Sequence, residues 1–257
     1  YDPLANQQDK KRRSLVVHDI PLFISKENIE ARFKRFGIIE YIRMHVPHNA
    51  IFQIAEITYE DASHIESFHQ GHWSLFIKGE CVRIFPATMT NDERALRQQY
   101  TAILRNLPTN IHAIDLHTIY SEVNAVSIGL PRHAKSYQSK PWAYFAFKSQ
   151  EAMDAAMEIT CSLNGKDLIW MPASLAKNLC VRCSSPDHKS KDCDARESRG
   201  RKRTPRTTQA LYDRYNIPNR NNNNRNNRNS STNNNTKNNN RNRSRSASRS
   251  RSRSRNN

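Results

Sequence analysis

Residues 180–193 read CVRCSSPDHKSKDC, and Cys180, Cys183, His188 and Cys193 stand in a C-x2-C-x4-H-x4-C array. A stretch this short cannot bury enough apolar surface to fold alone, so a bound metal has to supply the folding energy. Three thiolates and one imidazole suit a single structural zinc ion, held in a tetrahedron whose four positions are all filled by protein. A closed shell leaves no position for a substrate, which argues against catalytic zinc.

The chain also changes character at this array. Residues 1–175 hold 19 Lys and Arg against 19 Asp and Glu, whereas residues 176–257 hold 22 against 5, so the whole formal charge of +17 lies in the C-terminal third. Such a concentration attracts a polyanion, and RNA is the expected partner. The tail has no apolar face to insert and no apolar run approaches the length of a membrane span, so no membrane partner is expected. Cys81 and Cys161 are the only cysteines outside the array, which fits a reducing compartment rather than a disulfide framework. The sequence opens on Tyr1 rather than Met, so a fragment or processed product is expected.

Upstream, one pattern occurs twice. After a basic, flexible leader (1–13), the β-branched run Ser14–Pro21 reads as a strand stopped by proline. Ser25 can cap a helix carrying Ile29, Phe33 and Phe36. Strands follow at 38–44 and 50–59, a helix at 61–70 and a strand at 81–86. Residues 88–99 read as a polar linker. The order then repeats within 100–175: a strand at 100–108, a helix after Asn110, strands at 125–129 and 142–147, a helix at 150–159, an Asn164-Gly165 turn and a closing strand at 167–171. Two β-α-β-β-α-β units, at 14–87 and 100–175, make the expected class α+β and ferredoxin-like.

The local words are more specific. LVVHDIP, RFGIIEYIRM and AEITYEDA in the first unit, and KPWAYFAF (140–147) in the second, resemble the RNA-recognition motif (RRM). In that family, bases stack on aromatics of the open sheet face. The resemblance puts Val16, Ile54 and Glu56 at the stacking positions of the first unit, so a protein partner or a structural role is expected there. In the second unit, alternation turns Lys140, Trp142 and Tyr144 outward and Ala143, Phe145 and Phe147 toward the helices. Lys140 is expected on a phosphate or base edge and Trp142 and Tyr144 under bases, with Ile103 and Arg105 on the same face. Trp170, on the closing strand, extends that face in one register and leaves it in the other, and the sequence does not choose between them.

The array itself is similar to the CCHC zinc knuckle (178–195). Val181 stands where knuckles carry an aromatic, and Ser184 where they carry glycine, so metal binding is expected without base stacking. The tail (196–257) is Asn- and Arg-rich and is expected to be disordered. Its apolar patch, ALYDRYNI at 210–217, reads as a short linear motif. The run 243–255, RSRSASRSRSRSR, resembles the RS domain of SR splicing factors. Ser244, Ser246, Ser248, Ser250, Ser252 and Ser254 are its phosphorylation candidates, with kinases and other RS-domain proteins as expected partners. Together these features resemble SR-type RNA-binding proteins: non-catalytic, nuclear with shuttling to the cytoplasm, acting in pre-mRNA splicing or other mRNA processing, with no small-molecule substrate. A retroelement-derived nucleic-acid-packaging protein and a protein-interaction scaffold of ribonucleoprotein complexes are the alternative readings.

Overall fold

The structure is a computed structural model and describes residues 3–194 and 207–218, all within one compact unit that ends at Pro218. The leader is not extended. It forms a helix, α1 (Pro3–Arg12), with no buried residue. It is anchored at its end, where Arg13 reaches Asp9, Glu40 and the Tyr59 carbonyl.

The first sheet has the order β2-β3-β1-β5-β4. Its strands are β1 (Ser14–Pro21), β2 (Ile39–His45), β3 (Phe52–Tyr59), β4 (Ser74–Ile77) and β5 (Glu80–Pro86). Neighbouring strands pair antiparallel. Period-two alternation sends Leu15, Val17, Ala55, Ile57, Val82 and Ile84 to one side. There they meet Ile29 and Phe33 of α2 (Lys26–Phe33) and Phe68 of α3 (Glu66–Gln70). Tyr59 belongs to the same core and donates its hydroxyl to the Phe33 carbonyl at 3.0 Å. Sequence periodicity misses β4. It is a short edge strand folded back by Lys78 and Gly79, both at positive φ (51° and 82°), the conformation that a tight hairpin demands.

The linker carries a helix, α4 (Asn91–Leu96), started by a reciprocal Thr90–Glu93 capping box. The second sheet then repeats the plan as β7-β8-β6-β10-β9. Its strands are β6 (Thr101–Arg105), β7 (Ser127–Gly129), β8 (Trp142–Ala146), β9 (Cys161–Leu163) and β10 (Lys166–Pro172), with helices α5 (His117–Glu122) and α6 (Gln150–Glu158) behind them. Both units therefore have the ferredoxin-like RRM fold, each with one added edge strand. The Asn164-Gly165 turn joins β9 to β10. Asn110 does not cap the helix after β6. The chain enters it at His112, through a 3-10 turn (Ala113–Leu116) that leads into α5.

The two units are packed together. The β4–β5 hairpin of the first presses against β7 of the second. Gly79 accepts from the Ile114 N–H at 2.9 Å, and the Ser74 hydroxyl donates to the Val126 carbonyl at 2.7 Å. Phe76 meets the rings of His117 and Tyr120. Cys81 belongs to the core of the second unit, beside Leu104, Ile128 and Phe145. Glu80, 3% exposed, binds Arg132 and His112 of the second unit, each at 2.6 Å.

A third piece joins the seam. Within the segment expected to be disordered, residues 207–218 are ordered around α7 (Thr208–Arg214). Leu211 is completely buried against Leu22 of the first unit and Tyr137 of the second, with Ile51 and Val46 alongside. Tyr212 donates to the Ala50 carbonyl at 2.8 Å. The linear motif at 210–217 is thus a docking segment for the chain's own seam. The remaining tail, with the RS run and its serines, lies outside the described residues.

Removing the Glu80 carboxylate leaves the largely buried Arg132 without its counter-ion. Glu80→Ala is expected to cost about 3 kcal/mol in urea unfolding, the loss typical of a broken buried pair. Burial against Phe85 lowers the pKa of His18, chiefly by desolvation. A depressed histidine binds fewer protons folded than unfolded, so stability is full above the ordinary value of about 6.5 and declines as pH falls through it. Urea midpoints should therefore fall from about pH 7.5 to about pH 5.5, and by less in His18→Gln.

Candidate nucleic-acid interface

Strand alternation in the second unit falls as the residues dictate. Ala143, Phe145 and Phe147 enter the helix-side core, and Trp142 and Tyr144 take the opposite face with Ile103. Register sets Ile103 opposite Tyr144 and Arg105 opposite Trp142. The face expected to be open is nevertheless covered at its centre. The chain leaving β10 turns back through a 3-10 helix (Ala173–Asn178) and lays Leu179 and Val181 over Ile103, Trp142 and Met171. Ile103 is 0% and Trp142 3% exposed. Of the expected contact residues, Lys140, Tyr144 and Arg105 stay partly exposed. The indole N–H of Trp142 has no hydrogen-bond partner, a burial that costs about 1–3 kcal/mol. The Lys140 ammonium lies 5.0 Å from the centre of the Trp142 ring. Trp170 does not extend this face. It lies on the helix side, edge-on to Phe145, with its N–H donated to the Ile159 carbonyl at 3.1 Å.

Tyr144 and Lys140 open instead onto a cleft of about 540 Å³ between the two units. The first unit supplies Asp19 and Arg83, the linker Gln98, and the second unit Arg132. Arg83 is held by Asp19 and Arg132 by Glu80. Lys140 makes no salt bridge among the described residues, so its charge is available to a ligand. Alternation alone marks Arg83 as an outward residue, but no sequence signal brings it to Lys140, because the placement depends on the seam.

The first unit's outer face does carry an aromatic, Phe85 on β5, but its ring is 4% exposed and presents no stacking surface. Its ring is surrounded by His18 and by the guanidinium groups of Arg83, Arg94 and Arg97. Arg97 is fixed there by the Ile84 and Phe68 carbonyls.

The metal-ligating array comes together as its spacing requires. The ligand atoms of Cys180, Cys183, His188 and Cys193 all lie within 4.8 Å of one another. The sulfur of Cys183 is 3.4 Å from His188 Nε2 and 3.7 Å from the sulfur of Cys193. A zinc tetrahedron with bonds of about 2.0–2.3 Å has edges of about 3.3–3.8 Å, a range that includes both separations, so the donor set fits that ion. Burial alone would raise the Cys180 thiol, but the backbone N–H groups of Arg182 and Cys183 outweigh it and favour the thiolate. Ser184 takes the left-handed conformation (φ 61°) that a glycine there would take freely. Its hydroxyl accepts from the Asn106 N–H at 2.9 Å, tying the metal loop to the end of β6.

No family model and no curated protein matches this sequence. Among solved structures, the chain is similar to the first two RRM domains of the yeast poly(U)-binding protein Pub1 (19% identity, 63% of this chain and 99% of that one, TM-score 0.27). It is also similar to the two RNA-recognition domains of Sex-lethal from Drosophila melanogaster (16%, 63% and 99%, TM-score 0.29). A third is the RNA-binding domain of Hrp1 in complex with RNA (8%, 64% and 98%, TM-score 0.33). Values this low carry nothing about the chemistry of this chain, whose fold follows from its own strand order.

Metal analysis of the purified protein is expected to find one zinc per chain, and none in Cys183→Ser. Because the ligands bind metal deprotonated, acidification should release the ion.

Proposed function

We propose that this protein binds single-stranded RNA without catalysis and acts in pre-mRNA splicing or other mRNA processing in the nucleus. The observation that carries RNA binding is the inter-unit cleft, where the Tyr144 ring and the Lys140 ammonium share one concave surface. A stacking platform beside a cation is what a single strand needs, since every base has a π-face and every nucleotide a phosphate. Arg83 and Arg132, pinned by carboxylates, orient a strand rather than add net charge. The basic sequence after Pro218 supplies electrostatic affinity that does not depend on base identity. The RS run supports the splicing assignment and makes kinases and RS-domain proteins the further partners. Arg105, at the edge of the covered face, is a second phosphate contact.

The burial of Ile103 and Trp142 by the chain itself is what favours the scaffold reading, in which no RNA is bound. Fluorescence anisotropy with labelled single-stranded oligonucleotides decides between them. At about 0.3 M salt, where the tail's contribution is largely screened, Tyr144→Leu and Lys140→Gln should each weaken binding by about tenfold, and duplex RNA should compete poorly. Unchanged dissociation constants in both variants would remove the cleft as the site.

A further inference from the structure

The metal loop does not stand apart from the second unit. Cys180 is 1% exposed and is flanked by Leu179 and Val181, whose side chains lie on the Ile103–Trp142–Met171 surface. Ser184, completely buried, ties the loop to Asn106. The residue that would be a base-stacking aromatic in a knuckle is here a valine turned inward, so the loop's apolar contact is spent within the molecule.

What it covers is unusual for a permanent core. Trp142 is buried with an indole N–H that bonds to nothing, although leucine or phenylalanine would fill the same space with no polar atom left over. Lys140 sits over the ring and Arg105 pairs beside it on β6, so cations flank the covered surface. An aromatic with a spare donor, between two cations, matches a nucleotide better than it matches a valine.

We propose that the zinc-bound loop is a lid over a second RNA-contacting surface, and that single-stranded RNA and the loop compete for Trp142. Closed, the lid confines RNA to the cleft at Tyr144. Open, it releases Trp142, and a bound strand can extend from Tyr144 onto the neighbouring strands. Zinc holds the lid in shape because Leu179 and Val181 are positioned only while Cys180 is ligated. A binding-competent state that is populated only in part lowers apparent affinity by that fraction, so loosening the lid should tighten RNA binding.

This inference rests on the zinc and RNA readings above, and the test separates the three. Acrylamide quenching of tryptophan fluorescence is measured on the full chain and on Trp142→Phe, with zinc content determined in the same samples. Chelation should raise quenching severalfold in the wild type, and the increment should vanish in Trp142→Phe. Ser184→Gly keeps all four ligands and suits the backbone conformation, but loses the Asn106 bond. Val181→Asn keeps the ligands and weakens the apolar contact without adding charge. Both variants should retain one zinc, show raised quenching before chelation, and bind single-stranded RNA severalfold more tightly than wild type. Zinc release with unchanged Trp142 quenching would overturn the lid while leaving the metal site intact. Raised quenching with unchanged RNA affinity would overturn the competition. Absence of zinc from the wild type would overturn both the metal reading and the lid.

Discussion

The structure depends on one intrusion: the β4–β5 hairpin of the first unit driven against the second. Its turn residues take the left-handed conformations that make it tight, and its far strand places Glu80 and Cys81 where the second unit's core begins. A buried carboxylate is tolerable only when paired, and Arg132 supplies the pair. The Arg132 guanidinium in turn lies over the Phe23 and Tyr137 rings. Tyr137 satisfies both sides of its hydroxyl on the first unit, accepting from Leu22 and donating to Ile51. Burial raises its pKa to about 12, so it stays a neutral hydrogen-bonding group at any physiological pH. The cleft at Tyr144 and Lys140 exists because this seam fixes the distance between the two sheets.

Two segments outside the sheets finish what the seam starts. α7 closes the seam with Leu211, and the metal loop closes the face of the second sheet with Leu179 and Val181. Both use a few apolar side chains set in polar sequence. A fully buried leucine contributes about 1.5–3 kcal/mol, enough to hold a short segment in place and little enough to release it. The closed sheet face and the open cleft therefore divide the second unit's aromatics, with Trp142 inside and Tyr144 at the rim.

Charge follows the same division. The folded units are balanced, and their cleft cations are mostly neutralised by Asp19 and Glu80, which favours orientation over bulk attraction. The uncompensated charge lies in the sequence beyond them. Net charge and the paired cations of the cleft thus belong to different parts of one chain.

The sequence by itself determined the β-α-β-β-α-β order of each unit, though not the added edge strands, together with the helix-side core and the clustering of Cys180, Cys183, His188 and Cys193, because these are written in local spacing. Period two assigned Phe145 and Phe147 to the core without reference to anything distant, and C-x2-C-x4-H-x4-C brings its donors together in any compact loop. It did not determine which outward residues stay outward. Alternation says that Trp142 leaves the core side of its sheet, but only packing decides that Leu179 and Val181 meet it there. Trp170 carried no usable signal, since its face depends on how β10 registers against β6. The helix at 3–12 was illegible, since composition marks it as polar. The apolar patch at 210–217 was legible as a motif, but its docking site was not, because the groove is assembled from Leu22, Ile51 and Tyr137, residues far apart in sequence. Tertiary structure alone made the seam, the cleft and the cover over Trp142, because each joins side chains whose proximity no local pattern encodes.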